Sequence, residues 1–312
     1  QDVCSSDLSI FFGAVKNTKG NIITTKGEHL SVYAPIMELK NRGFEIRFAN
    51  LNAGGKADIK HIEALADNNT VFASIIHAGN ETGAVNDIKT ISAICKAANP
   101  SCIVHSDGVQ AYLKRDFSVK FLGVDMYSIS GHKVHCPKGI GALYIKKGLK
   151  INPVIYGGEQ ESGTRAGTEN TANIIAFGEV SEILYNSILE RAKHCKILKD
   201  SFISILNDSL SGFVINANGS DNLENILSIS IEGVKSDIII QLMSEDGIYL
   251  SSGSACSARS KISRVLKELN VPKNYLEGSI RISFSQYNTL QEIEIAAEKL
   301  ANCVKGFRRR IG

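Results

Sequence analysis

Short apolar runs alternate with longer amphipathic stretches along the first half of the chain. Their spacing predicts strands over 21–25, 44–48, 70–76 and 102–105, and helices over 28–41, 58–66 and 88–98. Strands that read as near-continuous apolar runs are covered on both faces. The pattern therefore predicts an α/β fold, a mainly parallel sheet with helices on either side. A further strand over 124–129 ends in small polar residues, and a Pro-Lys-Gly-Ile-Gly turn leads into a strand over 141–145. In sheets of this kind ligands bind beyond the carboxyl ends of the strands.

The regular pattern stops at a glycine-rich, apolar-poor stretch over 156–168, which reads as a long loop. Residues 172–207 then read as one long helix or two in series, a connector between domains. Beyond it, strands are predicted over 213–216, 226–232, 248–251 and 279–283 with helices among them, a smaller α+β domain. A chain of 312 residues can bury two cores, so the expected division is 1–188 and 189–312.

Composition changes this picture mainly by exclusion. A net charge of +3 is too mild to argue for nucleic acid, and Arg308-Arg309-Arg310 reads as a solvated end. No apolar run reaches the roughly 20 residues that cross a bilayer, and the first residues lack a signal-peptide pattern. Seven scattered cysteines, an odd number, fit a reducing, cytoplasmic compartment with at least one thiol available for work.

The candidate chemistry clusters just after predicted strands. Lys133, in Ser130-Gly131-His132-Lys133, stands where a strand meets a loop. Burial there would lower its pKa and free its lone pair; the competing reading is a surface lysine beside a hairpin. Asp107 follows the 102–105 strand, with Gln110 three residues on. A lone Asp in that place caps a turn. Beside a lysine bearing an aldehyde cofactor, it would keep a pyridinium nitrogen protonated and so make the ring an electron sink. Ser130 and His132 could donate to such a cofactor's phosphate. Asn80 follows another strand and is either turn punctuation or a ligand. His29 opens a helix and is either a helix-end residue or a catalytic imidazole able to stack on a ring and shuttle protons.

Two stretches in the second half stand out. In Ser251-Ser252-Gly253-Ser254-Ala255-Cys256-Ser257 small residues surround one cysteine. Nothing there anchors a core, which predicts an exposed thiol on a mobile loop, able to attack a substrate and carry a group away. Arg281 is a charge inside an apolar strand, suited to a substrate carboxylate or to an ion pair with a nearby acid. His132, His135 and Cys136 lie close in sequence, but no second cluster has metal-ligand spacing, so no metal is expected. Neither a Walker loop nor G-x-G-x-x-G is present.

Together these stretches resemble the pyridoxal-phosphate-dependent cysteine desulfurases of the class V aminotransferases. The pieces that carry the resemblance occur in the family's order: Thr24 to His29, Asn80 to Gly83, His105 to Gln110, Ser130 to Gly141, Gly157 to Asn170, Ser251 to Ser257 and Ser279 to Ser283. The Ser-Ser-Gly-Ser-Ala-Cys stretch is similar to the long-loop group that serves iron–sulfur cluster assembly and related sulfur delivery. The resemblance implies the type I fold of pyridoxal-phosphate-dependent transferases, a homodimer, L-cysteine as substrate and a sulfur-acceptor protein such as an iron–sulfur scaffold.

It also implies roles. Lys133 would join the cofactor as a Schiff base, Asp107 would meet the pyridine nitrogen, and Gln110 the ring hydroxyl. His29 would stack on the ring, Ser130 and His132 would bind phosphate, and Thr168 would reach the other subunit's phosphate. Asn80, beside the cofactor, and Arg281 would hold cysteine, and Cys256 would take its sulfur as a persulfide, leaving alanine. The family usually has an upstream Ser-Gly-x-Thr-Glu phosphate turn that residues 1–12 do not match. Ser162 stands where the family often has Arg, and Gly79 where it often has Asn. The alternatives are a selenocysteine lyase or other class V enzyme, and a truncated, non-catalytic homologue acting as a dimeric binding partner.

Overall fold

The computed structural model describes residues 10–15, 20–219, 221–252 and 263–311. The chain divides into two compact units. The first takes the residues up to 50 together with 57–78 and 85–188; the second takes 51–56, 79–84 and everything from 189 on.

The first unit is built on a six-stranded sheet: β1 (Asn21–Thr25), β2 (Glu45–Ala49), β3 (Thr70–Ser74), β4 (Ile103–Asp107), β5 (Met126–Ser130) and β6 (Gly141–Ile145), in the order β2-β1-β3-β4-β5-β6. The first five run parallel, and β6 returns antiparallel to β5. Alternate residues of each strand point to opposite faces, and the core divides accordingly. Ile22, Phe72 and Met126 belong to one buried cluster, closed by residues 10–14 and by Val32, Ile36 and Leu39 of α1 (Leu30–Asn41). Ile23, Ala73, Val104 and Tyr127 belong to the other, under α2 (Ile59–Leu65), α3 (Ile88–Ala98) and α4 (Val119–Leu122). The predicted parallel sheet with two covered faces is therefore observed. Helix starts are set by side chains that accept from the orphan N–H groups of the first turn. His29 caps α1, Asp58 caps α2 and Asp87 caps α3.

The predicted connector is two helices, α5 (Thr171–Tyr185) and α6 (Ile188–Ser209). They part where Ser187 turns both its N–H and its hydroxyl back to the Leu184 carbonyl. In the second unit an antiparallel sheet has the order β7 (Phe213–Ile215), β8 (Ile226–Ile231), β10 (Ser279–Ser283), β9 (Ser251–Ser252). Its core is filled from α6, α7 (Ser236–Glu245) and α10 (Leu290–Ile311). Between them, α8 (Arg264–Glu268) and α9 (Lys273–Leu276) are short. The strand expected from 248 begins only at Ser251, as β9. The N–H groups of Asp246, Gly247 and Ile248 are spent closing the end of α7 onto Met243 and Ser244, so the chain cannot enter the sheet earlier. Among the described residues no helix is long and apolar enough to cross a membrane.

Candidate active site

The carboxyl ends of β1, β4 and β5 display most of the residues that the sequence singled out. Asp107 ends β4, opposite Ser128 of β5, and is 2% exposed. Its Oδ1 accepts the Val109 N–H at 3.0 Å, and its backbone carbonyl accepts from His77. Burial pushes its carboxyl up to about 6, with the Val109 bond opposing the rise. Behind it, Tyr127 Oη lies 2.7 Å from His77 Nδ1. The Tyr127 hydroxyl is pushed up by burial and then by the charge of Asp107. A side chain at position 108 would collide with the Tyr127 ring, so only glycine lets β4 turn there. Gln110 follows, largely buried, its Oε1 accepting from Lys114 at 2.9 Å.

At the end of β5 the chain makes a single 3-10 turn, Gly131–Val134. The turn is pinned at both sides: Gly131 donates to Ile140, and Cys136 to Gly131. A Cβ at position 131 would sit 2.7 Å from the Ile140 side chain. Ser130 is buried, with Oγ 2.7 Å from Nδ1 of the exposed His132. Lys133 is exposed. A lysine made reactive by burial is expected at this strand–loop junction, and the residue is instead exposed, which corrects that expectation.

His29 is held by its cap, Nδ1 lying 2.8 Å from Ser31 Oγ and accepting the Ser31 N–H. The preceding residue, Glu28, was not singled out from the sequence, yet it is only 1% exposed. Its Oε1 accepts from Thr25 Oγ1 at 2.8 Å and from the Ile76 N–H at 3.0 Å, which ties the turn that presents His29 to the end of β3. The Thr-x-x-Glu spacing ahead of a helix was the available signal. Thr168 is exposed and lines a cavity of about 660 Å³ with Gly139, Arg165 and Asn170.

Asn80 and Arg281 belong to the second unit, where Arg281 Nη1 donates to the Asn80 carbonyl at 2.9 Å. The buried Arg281 Nε makes no hydrogen bond among the described residues. An acid also faces this arginine: Glu81. The sequence offers Arg281 two partners, a substrate carboxylate or a nearby acid, and Glu81 is an acid near enough to feel its charge. Cys256 lies outside the described residues.

A buried carboxylate whose ionised form is disfavoured calls for a cation, and the turn beside it offers an amine and a hydroxyl–imidazole pair suited to an anion. That donor set fits a cationic ring carrying a phosphate and an aldehyde.

The class-V aminotransferase family matches residues 8–295. The chain is 35% identical over 296 residues to cysteine desulfurase 2 of Trichormus variabilis, covering 95% of this chain and 74% of that protein. It is 36% identical over 294 residues to the cysteine desulfurase IscS of Dictyoglomus turgidum, covering 94% and 74%. Among solved structures, a NifS-like protein superposes with a TM-score of 0.90 at 32% identity, covering 98% of this chain and 81% of that one.

Proposed function

This chain belongs to the class-V aminotransferase family, and on that premise we propose that it is a pyridoxal-phosphate-dependent cysteine desulfurase. It takes L-cysteine to L-alanine and keeps the sulfur as a persulfide on Cys256. The observation that carries this reading is the pairing of a buried Asp107 at the end of one parallel strand with the Ser130–Lys133 turn at the end of its neighbour.

Bound pyridoxal phosphate supplies an electron sink for the substrate's carbon. The chain's residues do the rest. Asp107 would hold a proton on the ring nitrogen, Gln110 would meet the ring hydroxyl, and His29 and Asn80 would help hold the cofactor. Ser130 and His132 would bind the phosphate, and the Lys133 amine would hold the aldehyde. In the second unit Asn80 and Arg281 orient the cysteine carboxylate. The Cys256 thiolate attacks the substrate sulfur. The substrate's C–S bond breaks, its electron pair stays on carbon, and a proton taken up there completes alanine. The new S–S bond on Cys256 is reversible and can pass sulfur to an acceptor protein such as an iron–sulfur scaffold.

Units 1–188 and 189–312 would divide this work between cofactor binding and the thiol. The working form is a homodimer in the cytoplasm, with Thr168 serving the partner's phosphate. Apolar side chains left exposed on α5 support self-association. Added pyridoxal phosphate should give an absorption band that Lys133→Ala abolishes. Cys256→Ser should keep that band and form no alanine from cysteine; full alanine formation by this variant would overturn the thiol assignment.

A further inference from the structure

The paired register of β1 and β3 ends at Ile23 and Ala73, short of the carboxyl edge where the candidate site lies. β3 and β4 stay joined out to that edge, Ile75 N–H donating to the His105 carbonyl at 3.3 Å and His77 N–H to the Asp107 carbonyl at 2.8 Å. Beyond Ile23 a side chain, Glu28, joins the turn after β1 to the end of β3. It is 1% exposed, and its Oε1 takes two donors from different parts of the chain, Thr25 Oγ1 at 2.8 Å and the Ile76 N–H at 3.0 Å.

Both ends of this link are fixed. On one side Thr25 Oγ1 also accepts the Gly27 N–H at 3.0 Å. The residue after Glu28 is His29, whose ring accepts the Ser31 N–H and whose carbonyl accepts from Val32 and Tyr33 as α1 begins. On the other side the buried Asn86 donates from Nδ2 to the Ile76 carbonyl at 2.6 Å and from its N–H to the His77 carbonyl at 2.8 Å. Its Oδ1 accepts the Ala57 N–H at 2.7 Å. Ile76 and His77 are thus the middle of a chain of bonds, the Ile76 N–H going to Glu28 and the His77 N–H to Asp107. A carboxylate this deeply buried is costly to keep unless its oxygens are bonded. Thr25 already closes the turn, so what Glu28 adds is its reach to another strand.

We propose that Glu28 is a positioning residue: through the Ile76 and His77 amides it holds the His29 turn in place against Asp107, two residues assigned to the cofactor ring. The catalytic half of this rests on the cofactor reading above and the link does not, so the two are measured separately on the full chain. With or without pyridoxal phosphate, Glu28→Ala should speed hydrogen exchange of the Ile76 amide about tenfold, the loss of one charge-assisted bond, and leave the β5 and β6 amides unchanged. Loaded with pyridoxal phosphate, the variant should keep the absorption band that depends on Lys133. It should lose most of that band's circular dichroism, which reports how the protein holds the ring. Alanine formation should slow about tenfold or more at similar KM. Glu28→Gln keeps an acceptor oxygen at the same reach and should restore exchange, dichroism and rate. Glu28→Asp keeps the charge but falls one methylene short, and should resemble Glu28→Ala; the comparison of these two serves if Glu28→Ala folds poorly. Unchanged Ile76 exchange in Glu28→Ala would overturn the proposal. So would rescue by Glu28→Asp and not by Glu28→Gln, because charge rather than reach would then be the cause. A parent protein that takes up no pyridoxal phosphate would remove the cofactor reading and the catalytic half with it, while Ile76 exchange would still decide the link.

Discussion

His105 and Asp107 lie two residues apart on β4, both almost fully buried, and burial moves their titrations in opposite directions. His105 is held between Ser74 Oγ at 2.8 Å and Ser128 Oγ at 3.2 Å, and burial pushes it down to about 3. Its folded pKa lies below the unfolded value of about 6.5, so its part of the stability is full above that pH and is lost toward 3. Asp107 is raised to about 6 from an unfolded value of about 4, so it costs stability above pH 6 and none below 4. Asp107→Asn keeps the oxygen that accepts from Val109 and removes the charge. Without cofactor it should be more stable than the parent by about 2–3 kcal/mol at pH 7, a difference that vanishes near pH 4. Urea titrations of both proteins at several pH values check this. A variant no more stable at pH 7 would mean that the carboxylate is not strained by burial. The same variant should lose alanine formation, since an amide holds no proton on a ring nitrogen. Asp107 was legible in the sequence from its place after a strand. The environments of His105 and Glu28 were not, because their partners come from strands that only the pairing order brings together.

Between elements, the register of β4 against β5 decides whether Asp107 and the Ser130 turn share one edge. Asp125 clamps that register from the opposite end of the strands. Its N–H donates to the Val104 carbonyl at 2.8 Å and its carboxylate accepts the Val104 N–H at 3.0 Å. Lys96 of α3 lies 2.5 Å away and Lys146 3.3 Å. Burial works against the charge, but the Lys96 bond and the Val104 N–H outweigh it, so the carboxyl stays below its ordinary range. Asp125→Ala orphans a buried N–H and should cost about 2–3 kcal/mol. Lys146→Ala removes a side chain that is more than half exposed and should cost about 0.5 kcal/mol or less. Urea midpoints give both numbers, and equal losses would show that the clamp is only surface charge. The strands and helices of the first unit were readable because apolar runs and caps are local. Two features were not: the late start of β9, fixed by how α7 ends, and segments 51–56 and 79–84, which belong with a unit far away in sequence.

At the scale of the whole molecule, the first unit leaves apolar surface that its own chain does not cover. Ile174, Ile175, Ile183 and Tyr185 of α5 are 44%, 66%, 66% and 60% exposed, and Tyr156 in the glycine-rich loop is 80% exposed. Side chains of this size gain about 1.5–3 kcal/mol each on full burial, so covering several of them would favour pairing of two copies. Thr168 is exposed in the same glycine-rich stretch, and its proposed phosphate role requires a second copy. Ile175→Asp with Ile183→Asp places two charges on α5 without touching any buried residue. The parent should sediment at twice the chain mass and the double variant at the chain mass, with unfolding midpoints close to each other. If Thr168 serves the partner's phosphate, the variant should also bind pyridoxal phosphate at least tenfold more weakly, since each site loses a charge-assisted donor. A variant that becomes monomeric yet binds the cofactor as tightly as the parent would leave the dimer in place and take Thr168 out of the site.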